Sequence, residues 1–149
     1  MKRIKLTQGK FALVDDELYP ELSRYKWHAQ WNSCTKSFYA VRGMKIKDGK
    51  QYRISMAREI LGLNHDDKRQ ADHKNHNTLE NCRVNLRIVT RSQNQWNQRN
   101  RKGYYWHKAT KKYLARIMLN GKPIFLGRFD VAEDAHSAYL RAKKQYHTI

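Results

Sequence analysis

The sequence predicts an α+β fold with three parts: a small N-terminal β-rich region, a central strand–loop–strand–helix motif, and a C-terminal three-stranded antiparallel sheet packed on one helix. Three observations support this prediction. Short apolar segments alternate with turn residues along most of the chain, as is typical of strands. Asn120-Gly121 is the strongest short hairpin signal in the sequence. Small apolar residues recur at helical spacing from Ala132 to Ala142, which indicates a helix lying close to a sheet.

The N-terminal elements follow from local apolar patterning. Phe11–Val14 is a short apolar strand, and Asp15–Glu17 then offers an N-cap and an acidic first turn for a small helix. That helix carries Leu18, Leu22 and Tyr25 at roughly helical spacing. Two further strands are predicted, at Lys26–Trp31 and Phe38–Arg42.

A hairpin and a second short helix complete this region. The turn signal in residues 47–50 predicts that Met44–Ile46 pairs with Tyr52–Ile54. Ser55 is placed to cap a helix that runs through Leu61 and ends at Gly62. The polar stretch 64–70 is expected to be a loop.

The C-terminal elements are the clearest in the chain. Strands are predicted at Tyr104–His107, Tyr113–Leu119 and Ile124–Phe129, followed by a helix capped by Asp130. Strand alternation assigns one face to the helix and the other to solvent or a partner. The helix-facing set is Tyr113, Ala115, Ile117, Ile124 and Leu126. The opposite set is Tyr105, His107, Leu114, Arg116, Met118 and Phe125. A bulge at Gly127 could turn Phe129 inward, so its face stays open.

The strong positive charge of the chain predicts a polyanionic partner. The sequence holds 31 Lys+Arg against 13 Asp+Glu, a formal net charge of +18. Between Glu80 and Asp130 there is no acidic residue, whereas Trp96, Tyr104, Tyr105, Trp106 and Tyr113 lie inside that segment. Counterion release favours nucleic acid as the partner, and no amphipathic basic helix indicates a membrane surface. Two lone cysteines cannot build a structural zinc cluster and fit free thiols in a reducing compartment.

The middle of the chain carries a constellation of catalytic residue types. Asp72 and His73 are adjacent, and a long polar loop separates them from the strand Leu86–Val89. A helix capped by Thr90 or Ser92 follows. Adjacent residues at a strand end point to opposite sides, so one can bind a metal while the other faces a substrate. His suits the deprotonation of water near neutral pH, which phosphodiester hydrolysis requires.

This segment resembles the HNH nuclease family, which has the ββα-metal motif, and especially its phage and intron homing-endonuclease branch. The match consists of Asp72-His73, then Asn85 twelve residues after the His, then Asn94 nine residues further on. The resemblance implies that His73 is the general base, that Asp72 and Asn94 bind the metal, and that Asn85 orients the imidazole. Oxygen ligands suit Mg²⁺ or Mn²⁺. His76 lies where a Gly is common and has no catalytic role by this comparison.

Residues from about Gly103 to Ile149 resemble the apetala-two/ethylene-response-factor DNA-binding domain. The matching pieces include Lys112–Ile117, Phe125–Phe129 and Ala132–Tyr139. That family lays its sheet in the major groove, which implies double-stranded DNA as the partner. Several of its DNA-reading positions differ here, so base preference does not carry over. The expected DNA-binding residues are Arg87, Arg91, Arg99, Arg101, Lys102, Tyr105, His107, Lys112, Arg116, Lys122 and Phe125.

Three domains are therefore predicted: a DNA-contacting region at 1–63, the HNH motif at 64–100 and the DNA-binding module at 101–149. The expected function is a homing-type DNA endonuclease that nicks one strand. We expect a monomer that can dimerise on DNA, encoded by a phage or mobile element and located in the bacterial cytoplasm. The main alternative is a DNA-binding regulator with a decayed nuclease motif, and an RNA-binding accessory protein is a third interpretation.

Overall fold

The computed structural model describes residues 1–45, 49, 51–97 and 101–147. The fold is α+β, with mostly antiparallel sheets, and the chain divides into two compact units, 1–91 and 92–149. Within the described residues, no helix combines the length and the apolar character needed to cross a bilayer. The predicted turn at 47–50, apart from Gly49, and the predicted DNA contact Arg99 lie outside the described residues.

The first unit begins with a two-stranded ribbon and a single helical turn. Strand β1 (Lys2–Lys5) pairs antiparallel with β2 (Phe11–Val14). Helix α1 spans only Tyr19–Leu22, with Pro20 in its first turn. The prediction that Asp15–Glu17 supplies the N-cap of this helix is wrong, because Leu18 holds the cap position without a side-chain hydrogen bond. Instead, the Asp15 carboxylate accepts a hydrogen bond from the Arg83 backbone N–H, at 2.8 Å.

A three-stranded meander follows, in the order β3 (His28–Asn32), β4 (Ser37–Lys45), β5 (Gln51–Ser55). The predicted hairpin between the segment that begins at Met44 and the segment that begins at Tyr52 is confirmed, because β4 and β5 pair antiparallel with Met44 opposite Tyr52. Helix α2 (Met56–Ile60) begins as predicted, because the Ser55 side chain accepts a hydrogen bond from the Arg58 N–H. Gly62 follows it in the left-handed region, at φ +64°, a conformation that glycine adopts without a steric penalty.

The core of the first unit lies between the ribbon, the meander and α2. Its fully buried residues include Ala12, Val14 and Met56. Trp27 is buried and donates its indole N–H to the Leu22 carbonyl at 2.8 Å, so its one polar atom is satisfied. Full burial of a side chain the size of Val or Met contributes roughly 1.5–3 kcal/mol.

The central hairpin carries the residues that sequence analysis singled out. Strand β6 (Gln70–His73) pairs antiparallel with β7 (Leu86–Val89), and a 3₁₀ turn at Arg83–Asn85 leads into β7. Helix α3 (Arg91–Trp96) begins two residues after β7 ends. The strand–loop–strand–helix order is therefore as predicted.

The second unit is a sheet covered by one helix. Its strands are β8 (Tyr104–His107), β9 (Lys112–Leu119) and β10 (Lys122–Phe129), in the order β10-β9-β8, and α4 (Ala132–Tyr146) packs on them. Asn120 and Gly121 both have positive φ, as the predicted two-residue hairpin turn requires. The predicted Asp130 cap is wrong: Val131 is the N-cap residue and makes no side-chain bond. Asp130 instead pairs with Lys112 at 3.0 Å.

Strand alternation in the second unit follows the predicted faces. Ala115 and Ile117 are fully buried against α4, whereas Phe125 is 59% exposed on the other face. A bulge between Phe125 and Gly127 shifts the register of β10. It resolves the open question of Phe129, which packs into the core.

We expect Gly103→Ala to destabilise the second unit by about 3 kcal/mol. A Cβ at this position would lie 1.9 Å from Cγ of the Tyr139 ring, and φ is +72°. Gly121→Ala is the matched control, since φ is +78° there and no atom lies within 4 Å. The control should lose only about 1–2 kcal/mol of backbone strain. Urea unfolding of both variants measures the difference, and equal losses would contradict the close packing of Gly103 on Tyr139.

Candidate active site and nucleic-acid interface

Asp72 and His73 lie at the end of β6 and are both buried, at 7% and 4% exposure. Two adjacent polar residues on a strand point to opposite sides, so each meets its own surroundings. The His73 ring meets the edge of the Tyr39 ring, with centroids 6.3 Å apart. Asp72 faces Arg87 on the neighbouring strand. Burial of this kind is expensive unless each polar group has a partner, so the partners define the site.

The Asp72 carboxylate forms an ion pair with Arg87. The two residues are directly opposite in the β6–β7 register, and Arg87 Nε donates to Asp72 Oδ2 at 2.8 Å. Arg87 was predicted to contact DNA, but its guanidinium is committed to the carboxylate and its side chain is only 22% exposed. Arg87 therefore belongs to the site around Asp72.

His73 is held by Asn81. Its Nε2 lies 3.2 Å from the side-chain oxygen of Asn81, and this buried contact holds the imidazole ring in place. Burial lowers the pKa of the His73 imidazole, and the Asn81 hydrogen bond and the Asp72 charge only partly oppose this effect. The imidazole is consequently neutral at pH 7 and able to take up a proton.

Asn85 fixes the loop and not the imidazole. Its side-chain oxygen accepts the Asn75 N–H at 3.1 Å, and its amide donates to the Glu80 carbonyl at 2.8 Å. The role that the resemblance implied, orienting His73 directly, is therefore taken by Asn81. Asn85 contributes by closing the loop that carries Asn81.

The loop 74–85 is also tied to the rest of the first unit. Leu13 N donates to the Leu79 carbonyl and Asn81 N donates to the Leu13 carbonyl, both at 2.8 Å. Thr78 donates its hydroxyl to the Phe38 carbonyl at 2.6 Å. These bonds extend β2 into the loop and leave Asn81 only 1% exposed. In the described part of the chain, its side-chain nitrogen is buried and has no hydrogen-bond partner.

Asn94, the other predicted metal ligand, lies on α3 in the second unit, and its side chain is half-buried. The structure therefore brings Asp72, His73 and Asn85 together within the first unit, while Asn94 belongs to the other compact unit. No three His, Cys, Asp or Glu side chains cluster as a metal-binding group among the described residues. The predicted ligands contribute one carboxylate and one amide oxygen.

The exposed face of the second unit's sheet combines aromatic and cationic groups. The Arg116 guanidinium lies 5.1 Å from the centroid of the Tyr105 ring, and Phe125 is directly opposite Arg116 in the register. Aromatic rings and a guanidinium therefore share this exposed face. A cleft of about 370 Å³ opens beside it, and none of its lining residues is acidic: they are Arg101, Lys102, Gly103, Tyr104, Tyr105, Arg116, Ile117, Met118, Tyr139 and His147.

The remaining predicted DNA contacts divide into two groups. Exposed positions are held by Arg91, Arg101, Lys102 and Lys122. Two others are engaged locally: His107 Nδ1 accepts the Thr110 N–H at 3.3 Å, and Lys112 pairs with Asp130. These two residues stabilise the turn and the end of the sheet.

Sequence reasoning missed Asn81, Arg87 and Tyr39 as neighbours of the predicted site. The register of the β6–β7 hairpin is a signal that could have found Arg87, since it places residue 87 opposite residue 72. Nothing local in the sequence marks Asn81, because its position depends on the backbone bonds to Leu13.

Comparisons of the chain with protein-family models, with curated proteins and with solved structures found no match.

We expect Arg87→Met to destabilise the first unit by about 2–4 kcal/mol, because it leaves the buried Asp72 carboxylate without its cation. Arg83→Met is the control, since Arg83 and Glu17 are exposed and their charged atoms are 3.9 Å apart. It should change stability by less than about 0.5 kcal/mol. The double change Asp72→Leu with Arg87→Met should recover most of the loss. Urea unfolding tests all three, and equal effects of Arg87→Met and Arg83→Met would contradict the buried pair.

Proposed function

We propose that this protein is a metal-dependent DNA endonuclease of the homing type, which nicks one strand. The observation that carries the proposal is the buried pair Asp72-His73 at the end of β6, with the imidazole held by Asn81. A neutral His beside a carboxylate, in a chain of net charge +18, is suited to hydrolysing a phosphodiester. One such site in each chain cuts one strand per encounter.

His73 acts as the general base. The neutral imidazole, held by its contact with Asn81, accepts the proton of the attacking water. Because burial lowers the pKa of His73, the base is unprotonated at neutral pH. Asn81 keeps the ring in one orientation, and Asn85 keeps the loop that carries Asn81 closed.

We propose Mg²⁺ or Mn²⁺ as the metal, because the ligands that the HNH resemblance implies are oxygen donors. Within the first unit, Oδ2 of Asp72 is already oriented by Arg87. Asn94 remains a ligand only as the resemblance implies. Mg²⁺ is usually bound through one or two carboxylates together with waters and substrate phosphates, so a sparse set of oxygen donors suits it. When bound, the ion would supply positive charge at the phosphate and at the departing 3′ oxygen.

The second unit binds the DNA. Tyr105, Arg116 and Phe125 share the exposed face of its sheet, and the neighbouring cleft adds Arg101 and Lys102. Phosphate contacts by the basic residues supply affinity that does not depend on sequence, whereas side chains that reach base edges supply selectivity. The proposed division is that the first unit holds the base and the second unit holds the substrate.

A plasmid-nicking assay tests the function. We expect His73→Asn to lower the nicking rate by about 10²–10⁴-fold, the range expected for losing a positioned base. His76→Asn is the matched control, since His76 lies in the same loop at φ +64°, a conformation that Asn tolerates. The control should retain wild-type activity.

Chelation completes this assay. EDTA should abolish nicking and Mg²⁺ should restore it. Equal activity of the two His variants would reject His73 as the base, and full nicking by chelated protein would reject the metal-dependent mechanism. Absence of nicking by wild-type protein that binds DNA would favour the regulator described below.

We expect Arg116→Ala to relax base preference at one or two base pairs, by roughly 1–3 kcal/mol of discrimination, because Arg pairs bidentately with guanine in the major groove. Lys108→Ala, in the exposed turn between β8 and β9, is the control. It should weaken binding to all sequences about equally, as loss of a phosphate contact does. Competition binding with randomised duplexes measures both, and an unchanged preference in Arg116→Ala would show that the sheet does not read bases.

A DNA-binding regulator is the second candidate, and one observation favours it. Arg87 already neutralises Asp72 at 2.8 Å, as a purely structural ion pair would. In that case the second unit's sheet would bind DNA and no cleavage would follow. The nicking assay separates the two functions, because only the nuclease converts supercoiled plasmid to the open circle in Mg²⁺.

A further inference from the structure

The β3–β4 hairpin of the first unit presents a pair of aromatic rings. Trp31 and Phe38 are directly opposite in its register, and their ring centroids lie 4.8 Å apart. Trp31 is 52% exposed, whereas Trp27, four residues earlier, is buried in the core. The indole of Trp31 therefore offers a flat apolar face on which another ring can stack.

A lysine ammonium lies over the same pair of rings. Lys10 Nζ is 4.1 Å from the centroid of the Phe38 ring, within the range of a cation–π contact. The turn that carries Lys10 is fixed to β3 by two hydrogen bonds. The Ala29 N–H donates to Thr7 Oγ1 at 3.0 Å, and Gln8 Nε2 donates to the Ala29 carbonyl at 3.1 Å. A positive charge is therefore held beside the rings.

The closing turn of the hairpin adds a second lysine on an ordered backbone. The Asn32 side-chain oxygen accepts two backbone N–H groups of the turn, at 2.9 and 3.2 Å, and Lys36 at the end of the turn is exposed. Segment 22–47, which contains both strands, has no acidic residue. Glu59 reaches β4 from α2, but Arg42 neutralises it at 2.7 Å. The hairpin is therefore complementary in charge to a polyanion.

We propose that this hairpin is a binding surface for an unpaired nucleic-acid strand, in which a base stacks on Trp31 and phosphates meet Lys10 and Lys36. Proteins hold single strands with aromatic rings and cations together, because every base has a face that can stack. The bases of a duplex are already stacked on one another, so a single strand gains more from the exposed ring. None of these residues belongs to the site proposed for cleavage, so the inference stands without the proposed function.

The first test observes the wild-type protein in the absence of Mg²⁺. An oligothymidine of about twelve nucleotides, which does not pair with itself, is added to ¹⁵N-labelled protein. The indole N–H resonance of Trp31, assigned with Trp31→Phe, should shift because a stacked base adds its ring current, and that of the buried Trp27 should stay in place. A Trp31 resonance that does not move up to the highest oligothymidine concentration would overturn the inference and leave a protein as the occupant.

The second test measures affinity for the oligothymidine, for an oligouridine and for a duplex of the same length, by fluorescence anisotropy. Trp31→Ala should weaken strand binding about 5–100-fold, the effect of losing one stacked base, while duplex affinity stays within about twofold. Trp31→Phe should retain most of the strand affinity. Trp106→Ala is the matched control, since Trp106 is 48% exposed and its ring also lies 4.8 Å from an aromatic neighbour, but in the second unit. It should leave strand affinity unchanged.

The salt dependence tests the cation. Lys10→Gln should lower the log–log salt slope of oligothymidine binding by roughly 0.7, as the loss of one phosphate contact on a single strand does. The tighter of the two strands identifies the partner as DNA or RNA. Unchanged strand affinity in Trp31→Ala would overturn the inference. An equal loss for strand and duplex would also overturn it and would assign the hairpin to a duplex groove.

Discussion

The candidate site depends on the backbone pairing between β2 and the loop that follows His73. Leu13 forms two backbone hydrogen bonds with this loop, one with Leu79 and one with Asn81. The irregular loop therefore pairs with β2 as an additional strand would. The pairing forces Asn81 into the interior, where its side-chain oxygen meets the His73 imidazole. Asn85 closes the loop from within, through its two bonds to backbone groups. A strand near the N-terminus thus determines where Asn81 meets the His73 imidazole.

The buried polar groups of the first unit cluster at the end of β6. Asp72, His73, Asn81 and Asn85 are all less than 9% exposed. An apolar core would be at least as stable, because a buried ion pair seldom recovers the full desolvation penalty of its charges. Such departures from the usual pattern are expected at functional sites, where a group must be preorganised and not merely satisfied. Among the residues that the structure describes, the buried amide nitrogen of Asn81 has no hydrogen-bond partner, which is a further cost at the same place.

Most strands and turns could be predicted from periodicity and turn chemistry, because both are local. The Ser55 cap and the Asn120-Gly121 turn are examples. The Asp15 and Asp130 caps failed, because each carboxylate binds a distant group, the Arg83 N–H or the Lys112 ammonium. Strand β1 was not predicted, because Ile4 is its only buried residue. Spacing identified Asp72, His73 and Asn85, whereas their partners Arg87 and Asn81 depend on hairpin register and loop path, which no local pattern contains.

The bulge in β10 sorts two aromatic residues of one strand onto different faces. Phe125 precedes it and is exposed, whereas Phe129 follows it and packs in the core with Ala115 and Ala135. With regular alternation, residues 125 and 129 would share a face. Because of the extra residue, the strand places one aromatic ring on its outer surface and another in the core. During divergence, loss of this single residue would exchange core and surface for the end of the strand, so the bulge limits how the sheet can change length.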